Sequence, residues 1–316
     1  MGTIARILLA ALGLSLVTPS FAETRFVAFT FENDFFAGYD KHYTNGMQAA
    51  FLADLHGAPS WLRSLTADPQ AVIAIGQRIY TPSDTDVSIP EPNDRPYAGW
   101  IYVMGDLRTR AAPTIDHLTV AVGMLGPASG ARRTQSGVHH LMHGSTPQGW
   151  DTQVRNRATL MAGYERAWPA VAQGTFANRQ VDLSMRIGVN AGTPLTYADV
   201  GAVLRCGSRL PSDIPVTHIS LGPPRDGFRG TPQFGWYVWA GLDARAVAYN
   251  SFVEASTYSG GPQVSRKTFG HDVQVGMAFA WPRARVGFTM VQRSKEFKEQ
   301  QEGSDRFGQL ALSFAF

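Results

Sequence analysis

Amide, carboxylate and hydroxyl side chains concentrate in one stretch near the start of the chain, Phe31–Gly46 (FENDFFAGYDKHYTNG). The stretch carries Asn33-Asp34 at one end and Thr44-Asn45 at the other, between two segments that alternate like β-strands. These are the residue types of acid-base and cation-binding sites. Because Asn, Asp and Gly also favour ordinary turns, residue type alone leaves a simple turn open as the alternative.

A second candidate lies in Gly126–Arg157, the longest stretch without a strand pattern. Long loops inside compact folds tend to be either functional or disordered. This loop is rich in ionisable and aromatic side chains, which favours function: it contains His139, His140, His143, Arg132, Arg133 and Trp150. Its part Arg133–Met142 could form a short helix over the mouth of the fold. Taken alone, a loop histidine is more often an exposed residue than a catalyst.

Met1–Ala22 has the composition of a signal peptide, with Arg6, an apolar run Ile7–Val17 and a small-x-small cleavage site ending at Ala22. The apolar run is too short to span a bilayer as a helix. Removal of Arg6 lowers the formal net charge by one, from +3 to +2. This near-neutral charge argues against nucleic acid as a partner.

The remaining residues, 23–316, are expected to form one domain. No apolar run of eighteen or more residues follows the signal peptide, whereas the sequence has 32 glycines, 11% aromatic residues and many alternating segments. These features predict an all-β fold, a closed, antiparallel, up-and-down transmembrane β-barrel of about twelve strands with long loops at the extracellular rim. A secreted β-sandwich is the alternative. Cys206 is the single cysteine, so stability must come from the closed sheet rather than from an internal disulfide.

The predicted strands start with segments beginning at Arg25 and Thr44 and continue through Ala71–Tyr80, Ala98–Leu107, Asp116–Leu125, Leu160–Trp168, Gln180–Ala191, Tyr197–Cys206, Phe234–Tyr249, Phe269–Trp281, Arg283–Arg293 and Arg306–Phe316. The last strand has an alternating apolar face and ends on an aromatic residue, which resembles the terminal signal of outer-membrane barrels. Since loops of an up-and-down barrel alternate between its two ends, the loops containing Asn33, Asp94 and His139 should share one rim.

An ordered set of motifs then resembles a known family, the outer-membrane lipid A deacylases that remove the 3′-linked acyloxyacyl group of lipopolysaccharide. The matching pieces cover the N-terminal half of the mature chain: FENDFF (Phe31–Phe36), YTNG (Tyr43–Gly46), QRIYTP (Gln77–Pro82), DRPYAGW (Asp94–Trp100), GMLGP (Gly123–Pro127), QSGVH (Gln135–His139), GWDTQVRN (Gly149–Asn156) and YER (Tyr164–Arg166). The C-terminal half matches only as generic barrel strands.

The resemblance implies a twelve-stranded outer-membrane barrel with a Ca²⁺-dependent esterase site at the extracellular rim. It implies His139 as general base, Asn33 and Asp34 as the dyad that orients this base and holds the ion, and Thr44 as a further active-site residue and metal ligand. A neutral imidazole can take a proton from water, and Ca²⁺ prefers oxygen ligands such as the Asp34 carboxylate. The implied partners are lipid A and outer-membrane lipid, and we expect a monomer.

The sequence departs from the family pattern in two places. A basic pair proposed to stabilise the oxyanion is replaced by Ser83-Asp84-Thr85-Asp86, and an acidic metal ligand six positions after the histidine is replaced by Ser145. As a hypothesis, Arg95, Arg132 or Arg133 would supply positive charge near a phosphorylated lipid.

Two alternative functions remain open. An outer-membrane phospholipase would need Ser129 or Ser136 as its nucleophile. A non-enzymatic barrel, a pore or scaffold with a decayed site, would account for the two departures.

Overall fold

The computed structural model describes residues 24–38, 41–54, 69–141, 145–211, 228, 230–254, 264–301 and 303–316. The predicted signal peptide lies outside the described residues and stays a prediction, and so does its boundary with the barrel domain. His143 and most of the polar loop predicted between Gly207 and Thr231 also lie outside them.

Within the described residues, twelve antiparallel strands form a closed barrel, which confirms the predicted fold class. The strands are β1 (Thr24–Asn33), β2 (His42–Asp54), β3 (Gln70–Thr81), β4 (Ala98–Ala111), β5 (Thr114–Leu125), β6 (Arg157–Phe176), β7 (Arg179–Gly192), β8 (Leu195–Gly207), β9 (Gly235–Asn250), β10 (Phe269–Ala280), β11 (Ala284–Ser294) and β12 (Ser304–Ala315). Each strand pairs with its neighbours in sequence, and β1 closes the barrel on β12 from Phe26↔Ala315 to Asn33↔Gly308.

The strand sequences alternate because one face meets lipid and the other the lumen. In β3, for example, Ile73 and Ile75 are 48% and 49% exposed, while Val72 and Ala74 between them are 1% and 0% exposed. The inward face also carries buried charged residues such as Arg186 and Asp243. Position parity along each strand therefore tells which side of the wall a side chain lies on.

The connections between strands alternate between the two ends. Residues 34–41, 82–97, 126–156, 193–194, 251–268 and 295–303 connect strands at one end, and residues 55–69, 112–113, 177–178, 208–234 and 281–283 connect them at the other. Outer-membrane barrels have short periplasmic turns and longer extracellular loops. Three of the four connections of two or three residues lie at the second end, so the first end is the extracellular rim. The three loops containing Asn33-Asp34, Asp94 and His139 share this rim, as predicted from parity.

Strand β6 is longer than predicted, because it continues past Trp168 to Phe176. The ladder with β7 is irregular between Trp168 and Ala172, next to Pro169, and regular again up to Phe176↔Arg179. A proline in a sequence pattern argues against a strand, so the predicted strand ended before Pro169. In the structure, Pro169 lies at the irregularity and the strand continues beyond it.

Two helices accompany the barrel, α1 (Ala131–Leu141) and the single turn α2 (Ser251–Glu254). Both lie in extracellular connections. Among the described residues, no helix is long and apolar enough to cross a membrane.

Candidate active site

The two ends of the polar N-terminal stretch meet as cross-strand neighbours. Asn33 at the end of β1 lies opposite Asn45 in β2, and Phe31 lies opposite Met47 one outward position below. Because Glu32 and Gly46 between these pairs belong to the inward face, Asn33 and Asn45 both lie on the lipid-facing side of the wall. These two amides of the polar stretch are thus on the outside of the barrel.

The chain after β1 is fixed by short hydrogen bonds. Asn33 caps the 3-10 turn Asp34–Ala37, since its Oδ1 accepts the backbone N–H of Phe35 at 2.8 Å. Oδ2 of Asp34 accepts the backbone N–H of Lys41 at 2.6 Å, and the Asp34 side chain is buried. Gly38 ends the turn with a φ of 75°, a left-handed conformation that suits glycine. The Asp34 carboxylate is therefore held in a defined place at the rim.

Thr44 is the extra residue of a bulge in β2, where the register with β3 shifts between Tyr43 and Asn45. Bulges redirect side chains at functional sites, and here the Thr44 Oγ1 lies 2.7 Å from Thr81 Oγ1. The neighbouring Asn45 is 2% exposed, and both of its amide atoms are buried without a hydrogen-bond partner among the described residues. Such a buried, unsatisfied amide is costly, and its two polar atoms are available to a ligand or a water molecule.

Helix α1 lies against the outside of the wall, so the predicted position over the barrel mouth is wrong. The outward Gln77 donates from Nε2 to the carbonyl oxygen of Ser129, at the start of the helix, at 2.7 Å. A Cβ on the outward Gly99 would lie 2.2 Å from the Cβ of Ala131, so glycine is what lets the helix approach β4 this closely. The outward Ile79 packs in one cluster with Tyr97, Ala131 and Trp150. These contacts attach the helix to the lipid-facing side.

His139 lies on the same side of α1 as Ala131 and Gln135, because residues four apart share a helix face. Gln135 is buried, and its Oε1 accepts the indole N–H of Trp150 at 2.8 Å, which keeps this face toward the wall. His139 Nδ1 lies 2.6 Å from the carbonyl oxygen of Ser145. Since a carbonyl can only accept, Nδ1 carries the proton and Nε2 is the basic nitrogen. Ser145, where the family has an acidic residue, thus holds the imidazole through its backbone.

The three predicted lipid-binding arginines lie in different surroundings. Arg95 is completely buried inside the rim, where it donates to Glu296 Oε2 at 3.0 Å and to the carbonyl oxygen of Phe252 at 3.2 Å. Burial would raise the pKa of Glu296, but Arg95 and Arg293 lower it. Arg132 and Arg133 are exposed on α1. The placement favours an internal structural role for Arg95, and leaves Arg132 and Arg133 as candidates for a lipid contact.

Below the Asn33/Asn45 pair, the outer wall carries an apolar groove of about 470 Å³. Its walls come from β1, β2, β3, β4 and β12, and the lining side chains that lie on the outward face include Phe29, Phe31, Met47, Ala49, Ile75, Gln77, Ile101, Leu310 and Leu312. Two residues along a strand span about 7 Å. The groove therefore begins one outward position below the polar site.

The lumen contrasts with this surface. Arg186 pairs with Glu165, Asp199 and Asp243, and Arg293 pairs with Asp272. A luminal cavity measures about 40 Å³, room for only a few water molecules, and is lined by Arg186, Asp199, Asp243, Asp272 and Arg293 among others. Around this cavity, ion pairs among the described residues fill the lumen. This filling does not favour a pore.

The closed barrel, the extracellular helix on its outer face and the polar cluster beside it define an outer-membrane β-barrel with a membrane-facing site. Residues 7–316 match the family model described as outer membrane protein LpxR. The chain belongs to this family, and is an outer-membrane protein. A comparison with curated proteins gave no match.

Among solved structures, LpxR from Salmonella typhimurium is similar with a TM-score of 0.74 at 17% identity, over 92% of this chain and 100% of that one. The β domain of the Bordetella autotransporter BrkA gives a TM-score of 0.46 at 7% identity, over 93% and 99% of the two chains. The COG4313 outer-membrane channel from Pseudomonas putida F1 gives 0.41 at 9% identity, over 95% and 97%.

Sequence reasoning missed two features of the rim. It named Asn45 among the polar residues of the N-terminal stretch but gave it no role at the site; its burial depends on the pairing with β1 and β3. It also missed His42, whose Nδ1 lies 2.6 Å from Asp305 Oδ1. A contact across 263 positions leaves no local signal in one sequence.

Proposed function

We propose that this protein is a calcium-dependent ester hydrolase that removes the 3′-linked acyl group from lipid A in the outer leaflet. Family membership supports the lipid A deacylase class. The observation that supports the proposal is that Asn33 and the helix carrying His139 both lie against the lipid-facing side of the rim wall. A lipid can reach such a site laterally without entering the barrel.

The apolar groove supports an acyl substrate. Lipid tails are as apolar as the groove, so transfer of a chain from the bilayer into it gives little hydrophobic gain. The groove would instead fix the position of the chain. An acyl chain lying along Phe31 and Met47 would place its ester linkage near Asn33 and Asn45. Holding the reacting groups in place is a large part of catalysis.

In the proposed reaction, His139 Nε2 takes a proton from water as the water oxygen attacks the ester carbonyl. The carbonyl oxygen of Ser145 holds the opposite nitrogen and the ring orientation. The C–O bond then breaks, the proton passes to the leaving 3′ oxygen of the sugar, which becomes a hydroxyl, and a free fatty acid is released. Asp34 and Asn33 orient the reacting groups beside the wall.

The residues at the rim fit a hard cation. Asp34 offers a buried carboxylate, and Asn45 a buried amide oxygen without a partner among the described residues. No group of three or more His, Cys, Asp or Glu side chains in the described ranges is placed to hold a metal. An ion here would thus need amide, hydroxyl or backbone oxygens as well, with Thr44 as the predicted hydroxyl, which suits Ca²⁺. When bound, Ca²⁺ would polarise the ester carbonyl.

Arg132 and Arg133 are proposed to contact a phosphate of lipid A. Arg132 is more than half exposed and pairs with the exposed Asp151 at 2.6 Å; such a surface pair is weak and can be exchanged for a phosphate. We also propose a monomer, because the closed barrel leaves no strand edge for pairing.

The test is mass spectrometry of lipid A from cells with and without the expressed protein. We expect the wild type to remove one acyl or acyloxyacyl group in the presence of Ca²⁺, and His139→Gln and Asp34→Asn to lower the rate at least about 100-fold. Heat-shifted gel migration checks that the variants fold. Lys298→Gln, an exposed position in the rim connection 295–303, is the control for a rim substitution away from the site. Unchanged lipid A with folded wild type and Ca²⁺ present would refute the proposal.

The phospholipase alternative is less well supported. Ser129 is buried at the start of α1, where its carbonyl oxygen accepts from Gln77, so its hydroxyl is poorly placed for attack on a lipid. Release of fatty acid from phospholipid vesicles, lost in Ser136→Ala, would restore this alternative.

A further inference from the structure

A hydroxyl, an imidazole and a carboxylate lie in line on the luminal side of the same rim. Ser83 Oγ in the 82–97 loop lies 2.9 Å from His42 Nε2, and His42 Nδ1 lies 2.6 Å from Asp305 Oδ1 in β12. The order Ser–His–Asp, with each contact at hydrogen-bond distance, is the arrangement of nucleophile, base and orienting carboxylate in serine hydrolases. The three residues come from three distant segments of the chain.

We propose that Ser83, His42 and Asp305 form a second ester-hydrolysing centre, distinct from the outer-wall site and based on a serine nucleophile. Asp305 Oδ1 accepts from Nδ1–H of His42, so Nε2 is the nitrogen that can take the proton of the Ser83 hydroxyl. Oδ2 of Asp305 is buried and has no hydrogen-bond partner among the described residues. The imidazolium formed during attack would therefore be well compensated.

The surroundings hold these groups in place. His42 has a φ of 63°, a left-handed conformation rare for a residue with a side chain, and such conformations cluster at functional sites. The ring of Phe297 meets the His42 ring edge to face at a centroid distance of 5.6 Å. Asp94 accepts the backbone N–H of Ser83 at 2.7 Å, and its other oxygen lies 3.6 Å from His42 Nε2. This second carboxylate also favours the imidazolium.

Accessibility distinguishes this cluster from a purely structural hydrogen-bond network. Ser83 is exposed, whereas His42 and Asp305 are buried. A nucleophile that a substrate can reach, backed by a base shielded from water, is what hydrolysis requires. A structural network would need neither the exposed hydroxyl nor the in-line order.

The position indicates the substrate class. Ser83 follows β3 at the rim, and its partner group Asp305 lies opposite the inward-facing Arg293, so we infer that the cluster faces the lumen rather than the membrane lipids. Asp84 and Asp86 beside it are exposed, so their negative charge disfavours anionic substrates. Small, water-soluble carboxylic esters, uncharged or cationic, fit this site.

In the proposed step, Ser83 Oγ bonds to the ester carbonyl carbon while its proton moves to His42 Nε2. The bond to the alcohol breaks, and the alcohol leaves with that proton. Water then attacks the acyl-serine by the same proton route, which releases the acid and restores Ser83. The backbone N–H of Asp84 is at the position, directly after the nucleophile, that supplies an oxyanion donor in many hydrolases.

The test is labelling of the folded, full-length protein in detergent micelles with a fluorophosphonate, in EDTA. We expect a single adduct mapped to Ser83, absent in Ser83→Ala and formed at least about 100-fold more slowly in His42→Gln. Ser129→Ala and Ser136→Ala are matched controls that should label like the wild type. Hydrolysis of p-nitrophenyl acetate should decline in parallel with labelling.

The two sites can be separated. Asp34→Asn should lose lipid A hydrolysis and keep the label, and Ser83→Ala should do the reverse. Absence of an adduct at Ser83 in wild type that migrates as folded would overturn the proposal, and so would Ser83→Ala hydrolysing the small ester at the wild-type rate. Because Ser83→Ala removes one exposed hydroxyl, a folding defect would not obscure the result.

Discussion

The two sides of the rim wall differ in charge. On the luminal side, Arg95 pairs with Glu296, and Gln48 donates to the Tyr102 hydroxyl at 2.8 Å. On the outer side, Asn33 and Asn45 are neutral amides above an apolar groove, and Asn45 has no hydrogen-bond partner among the described residues. Buried polar atoms without a partner occur on the luminal side as well, for example at Gln309, so a missing partner does not by itself distinguish the two sides. The difference in charge indicates that paired luminal groups stabilise the barrel, whereas the outer side suits a ligand that is mostly apolar.

The largest effect is expected from breaking the luminal Arg95–Glu296 pair. Arg95→Met removes the hydrogen-bonded partner of the Glu296 carboxylate. Breaking a fully buried pair typically costs about 3–5 kcal/mol, and we expect about 3 kcal/mol or less because Glu296 is 17% exposed and Arg293 remains near it. Urea unfolding in detergent micelles should show this loss. Arg133→Met, an exposed arginine on the outer side, should leave the free energy of unfolding unchanged within about 0.5 kcal/mol. Equal costs for the two substitutions would contradict the division between the two sides.

Next in size is the effect of separating α1 from the wall. In Gly99→Val the new side chain would collide with Ala131 and Ser129, so the helix carrying His139 must move, and lipid A hydrolysis should decline by about 10-fold or more. Gly105→Val is the matched control: it is on the same outward face of β4, and nothing lies within 4 Å of its added Cβ. If both variants keep full activity, the helix does not position the site.

Smaller effects are expected at Asn45 and Gln48 of β2, one on lipid A turnover and the other on stability. Asn45→Ala removes an amide that has no partner, so it should lower lipid A turnover without lowering stability. Gln48→Ala leaves the buried Tyr102 hydroxyl without this donor and should cost about 1–2 kcal/mol of unfolding free energy with little change in turnover. Turnover and urea unfolding measured on both variants would show whether the two sides of β2 really differ in this way.

The sequence predicted the features of the fold that depend on local pattern, and it did not predict those that depend on tertiary contacts. Alternation along the strands and the parity of the loops predicted the barrel and the shared rim of Asn33 and His139, because both are local or countable properties. The side of the wall on which α1 lies could not be predicted, since it depends on outward contacts of Gly99 and Gln77. Arg95 was read as a lipid contact because a charged residue in a loop motif usually faces solvent, but tertiary packing buries it.

The smallest effect concerns pH and the luminal loop residue Asp94. Burial would raise the pKa of Asp94, but the nearby His42 and the hydrogen bond from the backbone N–H of Ser83 lower it from 3.8 to about 2. The ionised carboxylate therefore stabilises the folded state above pH 3.8, and this contribution is lost as the pH falls through about 2.

The free energy of unfolding of the wild type should fall by about 1 kcal/mol more than that of Asp94→Asn between pH 4 and pH 2, allowing for solvent screening at the rim. Asp151→Asn, on the exposed outer helix turn, should follow the wild-type curve. Parallel curves for wild type and Asp94→Asn would mean that the luminal loop is not held by this carboxylate, and the contrast between the two sides would then rest on Arg95 and Gln48 alone.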